Sequence, residues 1–238
     1  MASIHPKITI NGVASTSITG LMICSLPPIS KAPLRAQAEE IDGRDGDVIT
    51  KLGYGAYDKP FTIGLSGSYD IDAVIGYFNS EGKITFSNEP EKYYLFSQFD
   101  QIDFEKLIRF KIAKVTMHVQ PFKFSAVEYR DSFVVTGSMS SKTLFNRGNI
   151  SSKPKLTIYG DGIITISING TLVFAIDMTD IDKITIDGET MNAFDGDTYL
   201  NRRVMGSYDN LRFVIGRNVL SWTGTVDLIE VENFSRWI

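Results

Sequence analysis

Turn-forming residues recur about every ten positions along this chain, and the runs between them are short and rich in β-branched and aromatic residues. Lys7-Ile8-Thr9-Ile10 alternates and then meets Asn11-Gly12, a pair suited to a tight hairpin. The runs at 60–65 (PFTIGL), 83–86 (KITF) and 111–119 (KIAKVTMHV) have the same character, as do 184–187 and 226–234. Residues 155–177 read as three strands, with turns at Asp161-Gly162 and Asn169-Gly170. Such a rhythm predicts packed antiparallel sheets, a sandwich or a barrel, so the fold class is expected to be mainly β. The aromatic content agrees: 15 Phe and 10 Tyr against 2 Trp suit pleated, half-buried surfaces.

One segment breaks the rhythm. In SYDIDAVIGYFNSEG, Ile71, Val74, Ile75 and Phe78 fall on one face of a helix packed on a sheet. Ser68 or Asp70 can cap its first amides, Asp72 suits the positive end of its dipole, and Gly82 can close it. Pro121 interrupts the strand run near the middle of the chain, and residues 136–154 are rich in Ser, Gly and Asn. The predicted organisation is an α+β domain over 1–128 and an all-β domain over 129–238, with the junction near 125–135.

Residues with catalytic chemistry are sparse. Neither His5 nor His118 stands in a metal-ligand spacing, and GLSGS at 64–68 misses the G-x-S-x-G elbow. Cys24 is the one cysteine, which excludes an intramolecular disulfide and a cysteine-based zinc site. Its apolar neighbours predict a buried small side chain rather than a nucleophile. No enzymatic activity, metal or cofactor is expected. The net charge of −4 and pI near 5.3 argue against gripping nucleic acid through phosphate neutralisation, so no sequence-specific nucleic acid is expected. No apolar run approaches the ~18 residues of a membrane span and no signal peptide is visible, so no membrane insertion is expected either.

The stretch EEIDGRDGDVITKLGYGAYD, residues 39–58, concentrates glycine and acidic side chains. Asp42, Asp45 and Asp47 miss the spacing of a calcium loop, and Arg44 between them would repel a cation. The glycines fit neither a phosphate loop nor a dinucleotide fingerprint. They suit positive-φ turns, and the aspartates suit local Asx bonds. Two readings remain: an exposed hairpin or long loop, or a segment that docks on another subunit. Ile49, Leu52, Tyr54 and Tyr57 favour docking, because a purely solvated loop needs no apolar payload.

Several segments, taken in order, resemble one family. They are INGV at 10–13, E-x-I-D-G-R-D-G at 39–46 followed by Tyr57-Asp58, DAVIGYFN at 72–79 and GKITFSNEPEKYYLF at 82–96. The series continues with 145–170 (FNRGNISSKPKLTIYGDGIITISING), Asp187-Gly188-Glu189, GRNVLSWTG at 216–224 and FSRWI at 234–238. Over essentially its whole length the chain resembles the siphophage distal tail (Dit) proteins. The resemblance implies a ring-forming N-terminal domain and a C-terminal galectin-like β-sandwich. It implies a hexameric, structural baseplate hub in the virion tail tip, made in the host bacterial cytoplasm. Its implied partners are the tail-tube protein, the tail-associated fibre-like protein and receptor-binding components, with DNA passing through the lumen. On this reading residues 39–58 build the ring, with Ile49, Leu52, Tyr54 and Tyr57 at a subunit contact.

The C-terminal domain contains no histidine, whereas sugar-binding galectins use a His-Asn-Arg cluster beside a tryptophan. Trp222 follows strand periodicity and is expected in the core, while Trp237 either seals the sandwich or its junction or meets a partner. The sandwich therefore reads as a protein-docking module, with a lectin-like carbohydrate-binding protein as the alternative.

Overall fold

The computed structural model describes residues 6–126, 130–136 and 139–238. His5 and the 128/129 boundary lie outside them. The chain divides into two compact units, the first ending at Ala126 and the second running from Val127 to Trp237.

In the first unit the strands are β1 Ile8–Ile10, β2 Val13–Ala14, β3 Leu21–Ser25, β4 Leu34–Glu40, β5 Asp47–Tyr54, β6 Tyr57–Leu65, β7 Gly82–Phe86, β8 Lys92–Phe99 and β9 Ile112–Ser125. Seven of them form an antiparallel path in the order β2-β1-β7-β8-β9-β6-β3, from which β4 and β5 stand apart. Asn11 (φ 48°) and Gly12 (φ 86°) are both left-handed and join β1 to β2, as a two-residue hairpin requires. Alternation decides which face is dry. Phe61, Ile63 and Leu65 of β6 and Ala113, Val115, Met117 and Val119 of β9 all point into one core.

Helix α1 (Ile71–Phe78) starts at Asp70, whose carboxylate accepts from the Asp72 and Ala73 amides. It buries Val74, Tyr77 and Phe78, and Phe78 meets Phe99 edge-on at 5.2 Å. The expected stripe is corrected in one place. Ile75 faces solvent and Tyr77 replaces it, because the Tyr77 hydroxyl donates to the Val13 carbonyl (3.1 Å) and draws the ring inward. Nor does Gly82 close the helix. Asn79 ends it, and Gly82 opens β7 at φ 127°.

A second helix, α2 (Phe104–Phe110), went unread in the sequence. Asp103 caps it by accepting from the Lys106 amide, and Leu107 alone is buried. Pro121 does not stop β9. Tyr94 faces Lys123 and Phe96 faces Val119, so β9 carries two extra residues there and the proline's missing N–H falls within a bulge. Cys24 is exposed on the edge strand β3 rather than buried, because strand alternation turns it away from the core face of Leu21 and Ile23.

In the second unit the strands are β10 Arg130–Val134, β11 Ser141–Asn146, β12 Lys155–Ile168, β13 Thr171–Asp177, β14 Lys183–Asp187, β15 Asn192–Asp195, β16 Thr198–Tyr199, β17 Val204–Gly206 and β18 Gly216–Glu232. β12 and β18 are long enough to serve two layers. Their outer halves, 155–159 and 228–232, sit in the row β10-β18-β12-β14-β15-β16. The other halves, 163–168 and 220–223, sit in the row β11-β18-β12-β13-β17. One sheet thus folds over on itself, the way a strand changes layers at a corner.

The turn expected at Asp161-Gly162 is that corner, inside one continuous strand, so residues 155–177 form two strands and not three. The corner needs glycine. A Cβ on Gly160 would stand 2.2 Å from the Thr225 carbonyl oxygen, and one on Gly224 (φ 92°) would stand 2.4 Å from that of Ile163. Between the layers lie Ile158, Ile166, Phe174, Ile186, Trp222, Ile229 and their neighbours.

Candidate functional site

β4 and β5 pair only with each other and form an arm. Eight residues at about 3.3 Å each give β5 a length of roughly 26 Å. All of β4 is exposed, and of β5 only Val48 and Tyr54 are half-buried. At the tip, Gly43 (φ 81°) and Gly46 (φ 76°) take left-handed backbone with open space at both Cβ positions. The glycines shape the turn and cradle nothing. Between Arg35/Gly53 and Ala36/Lys51 the register slips by one residue, leaving Leu52 as a bulge beside Gly53 (φ 109°).

Of the four residues singled out from the sequence, Ile49 and Leu52 stand on the arm at 63% and 54% exposure. Tyr54 lies at its root, edge-on to Phe122 at 5.8 Å. Tyr57 belongs to β6, half-buried, and its hydroxyl donates to the Ser30 carbonyl at 3.4 Å. Leu34 and Ile41 add exposed apolar surface that sequence reasoning missed. Their signal was available, since a hairpin through 39–47 puts Leu34 opposite Tyr54.

The root is anchored firmly. Lys59 is 2% exposed, and its ammonium donates to the Pro28 carbonyl (2.8 Å) and lies 4.8 Å from the Tyr94 ring centre. Asn88 donates to the Pro27 carbonyl at 3.1 Å, and Gly55 N to that of Pro33 at 2.9 Å. Behind Lys59, Glu89 accepts from Lys123 (3.0 Å) and from the Tyr94 hydroxyl. Burial lowers the Lys59 pKa to about 8, against the opposing pull of Glu89. Burial also pushes the Glu89 carboxyl up, but the hydrogen bonds from Tyr94 and Lys123 outweigh it and leave the group below its usual range. Lys59, Asn88 and the Gly55 amide thus hold residues 27–33, the segment that feeds the arm.

His118 Nδ1 lies 2.7 Å from Asp58 Oδ1, and Nε2 has no hydrogen-bond partner among the described residues. No three His, Cys, Asp or Glu side chains come together to hold a metal among the described residues. No described helix is long and apolar enough to cross a membrane.

In the second unit Trp222 is 4% exposed and packs 5.8 Å from Phe133, inside the core. Trp237 is half-buried. Just before it the tail is tied down. Ser152 Oγ donates to the Phe234 carbonyl at 2.8 Å, and Arg236 Nη1 to Glu189 Oε1.

No protein-family model and no curated protein matches the chain. Among solved structures it matches the Dit protein of phage SPP1, described as a paradigm of the hub adsorption apparatus in phages that infect Gram-positive hosts. The TM-score is 0.60 at 14% identity, over 98% of this chain and 99% of that one. The baseplate of phage P2 in its activated conformation also matches. With Ca the TM-score is 0.47 at 9% identity over 98% of both chains, and with Sr it is 0.45 at 9% identity over 95% and 97%. From end to end the chain has the SPP1 Dit fold.

Proposed function

We propose that this protein is a structural hub of a phage tail tip, closed into a hexameric ring through its arm. The observation that carries the reading is the arm itself, in a chain with the fold of a tail-hub protein. A two-stranded hairpin wet on both faces is marginal alone in water, and its open edges invite another strand. Ile49, Leu52, Leu34 and Ile41 would gain from cover. An arm laid on the next copy makes a head-to-tail contact, which closes into a ring when the rotation allows.

The first unit also has a surface to receive it. Met22 of β3 and Ile112 of β9 flank Gly64 in one cross-strand row and are exposed, as is neighbouring Phe110. In this proposal the ring joins the tail-tube protein to the tail-associated fibre-like protein. The second unit docks receptor-binding components, and DNA passes through a lumen that an acidic chain does not grip. The protein would then be a virion component, synthesised in the host cytoplasm.

Light scattering with negative-stain imaging of the purified chain tests this. The expected result is six-fold rings near 159 kDa, six times 26.5 kDa, and loss of the rings in Ile49→Ser/Leu52→Ser with the fold intact. Rings that persist in the double variant would remove the arm from the account.

A further inference from the structure

A second feature lies in the other unit and is independent of the arm and of ring assembly. On the outer face of β14, β15 and β16 there is a cleft of about 340 Å³, at the small end of the ~300–1,000 Å³ range of ligand sites. Cross-strand register builds it. Asp187 faces Asn192, and Phe194 faces Tyr199, while Ile186 and Ala193 between them point into the core. Thr190 and Asp197 complete the wall.

The cleft is held rigid by bonds made behind it. Asp187 Oδ1 accepts from the Glu189 and Thr190 amides at 2.8 and 3.2 Å. Asn192 Nδ2 donates to the Thr190 carbonyl at 3.1 Å, and its Oδ1 accepts from Asn201 at 3.1 Å. Three features remain unused. Asp187 Oδ2 and the Asp197 carboxylate have no hydrogen-bond partner among the described residues, and the Tyr199 side chain is 72% exposed.

The lining selects a ligand class. The wall carries two carboxylates against one neighbouring ammonium, Lys155 Nζ, which lies 5.6 Å from the Phe194 ring centre, and that balance disfavours a phosphate or another anion. A metal would find no third carboxylate, histidine or cysteine there among the described residues. A hydrophobic peptide would leave the carboxylates desolvated and unpaired. A neutral saccharide meets both demands. Its hydroxyls donate to Asp187 and Asp197 in charge-assisted bonds, and its C–H face lies against the Tyr199 ring beside Phe194.

We propose that the cleft formed by Asp187, Asn192, Phe194, Asp197 and Tyr199 binds a neutral saccharide. Tyr199 is the stacking platform, and the two aspartates are the acceptors that orient it.

Saturation-transfer NMR on the full chain tests this with the methyl glycosides of glucose, galactose, rhamnose and N-acetylglucosamine as probes. At least one should receive saturation on its ring C–H protons. That transfer should weaken about tenfold in Tyr199→Ala and in Asp197→Asn, and persist in Phe145→Ala, an exposed aromatic on β11. Tyr199 and Asp197 are exposed, so melting curves should show both variants folded, and either one suffices if the other unfolds. Absence of transfer to all four probes, or transfer unchanged in the folded variants, would overturn the proposal.

Discussion

The arm of the first unit and the folded corner of the second are both long antiparallel pairings punctuated by glycine, and they use it for opposite reasons. At Gly43, Gly46 and Gly53 a Cβ would meet nothing within 4 Å, so these residues serve backbone conformation alone. At Gly160 and Gly224 a Cβ would strike a carbonyl oxygen of the strand crossing it. The corner is a structural joint that seals a core. The arm is exposed surface, which the proposed ring would cover with a neighbouring copy, on a root held by buried Lys59. Stability should therefore reside in the corner and assembly in the arm.

The largest effect expected is on the corner side. Trp222→Ala should destabilise the second unit by about 3–5 kcal/mol in urea unfolding, because it empties a filled site between the layers. Gly224→Ala should follow at about 3 kcal/mol, combining φ strain with the clash on Ile163. The matched change on the arm, Gly43→Ala, should leave global unfolding within about 0.5 kcal/mol, since only an exposed turn is strained. Similar losses at Gly43 and Gly224 would erase the distinction.

At the arm's root, Lys59 gives up its proton near pH 8 in the folded chain, whereas an unfolded lysine holds it to about 10.5. Unfolding then takes up a proton in that window, so stability contributed by this group rises between pH 8 and 10.5 and is lost as pH falls through 8. The rise, up to ~3 kcal/mol, should appear as the difference between wild type and Lys59→Met in unfolding curves across pH 7–11. A difference flat with pH would mean that the ammonium is solvated. The smallest effect on stability belongs to Ile49→Ser/Leu52→Ser, within about 0.5 kcal/mol, since both side chains are already in water.

Much of the strand pattern was legible because alternation and Asn-Gly turns are local signals, as at Ile8–Ala14 and Asn169-Gly170. The ordered series of segments that resembles the Dit family agrees with the fold match to SPP1 Dit. What was not legible depends on distant partners. Asp161-Gly162 reads as a turn because nothing nearby reveals that Thr225 crosses there. Pro121 reads as a break because its bulge exists only relative to β8. Cys24 has apolar neighbours but lies on the outer side of an edge strand. Helix α2 spans only seven residues, too short a window for Phe104, Leu107 and Ile108 to stand out as a helical stripe.

For the candidate site, the sequence showed an apolar payload in 39–58 without showing that Tyr57 belongs to the body while Ile49 and Leu52 belong to a free arm. The cleft at Tyr199 escaped because its residues come together only through cross-strand register, from three separate strands.

The central claim is that a neighbouring copy covers the arm, and amide hydrogen exchange over residues 34–54 tests it most directly. Measured on the monomer and on the assembled protein, those amides should exchange rapidly in the first and become protected in the second. The core of the second unit should stay equally protected in both. Assembly with an arm that still exchanges at the monomer's rate would contradict the account.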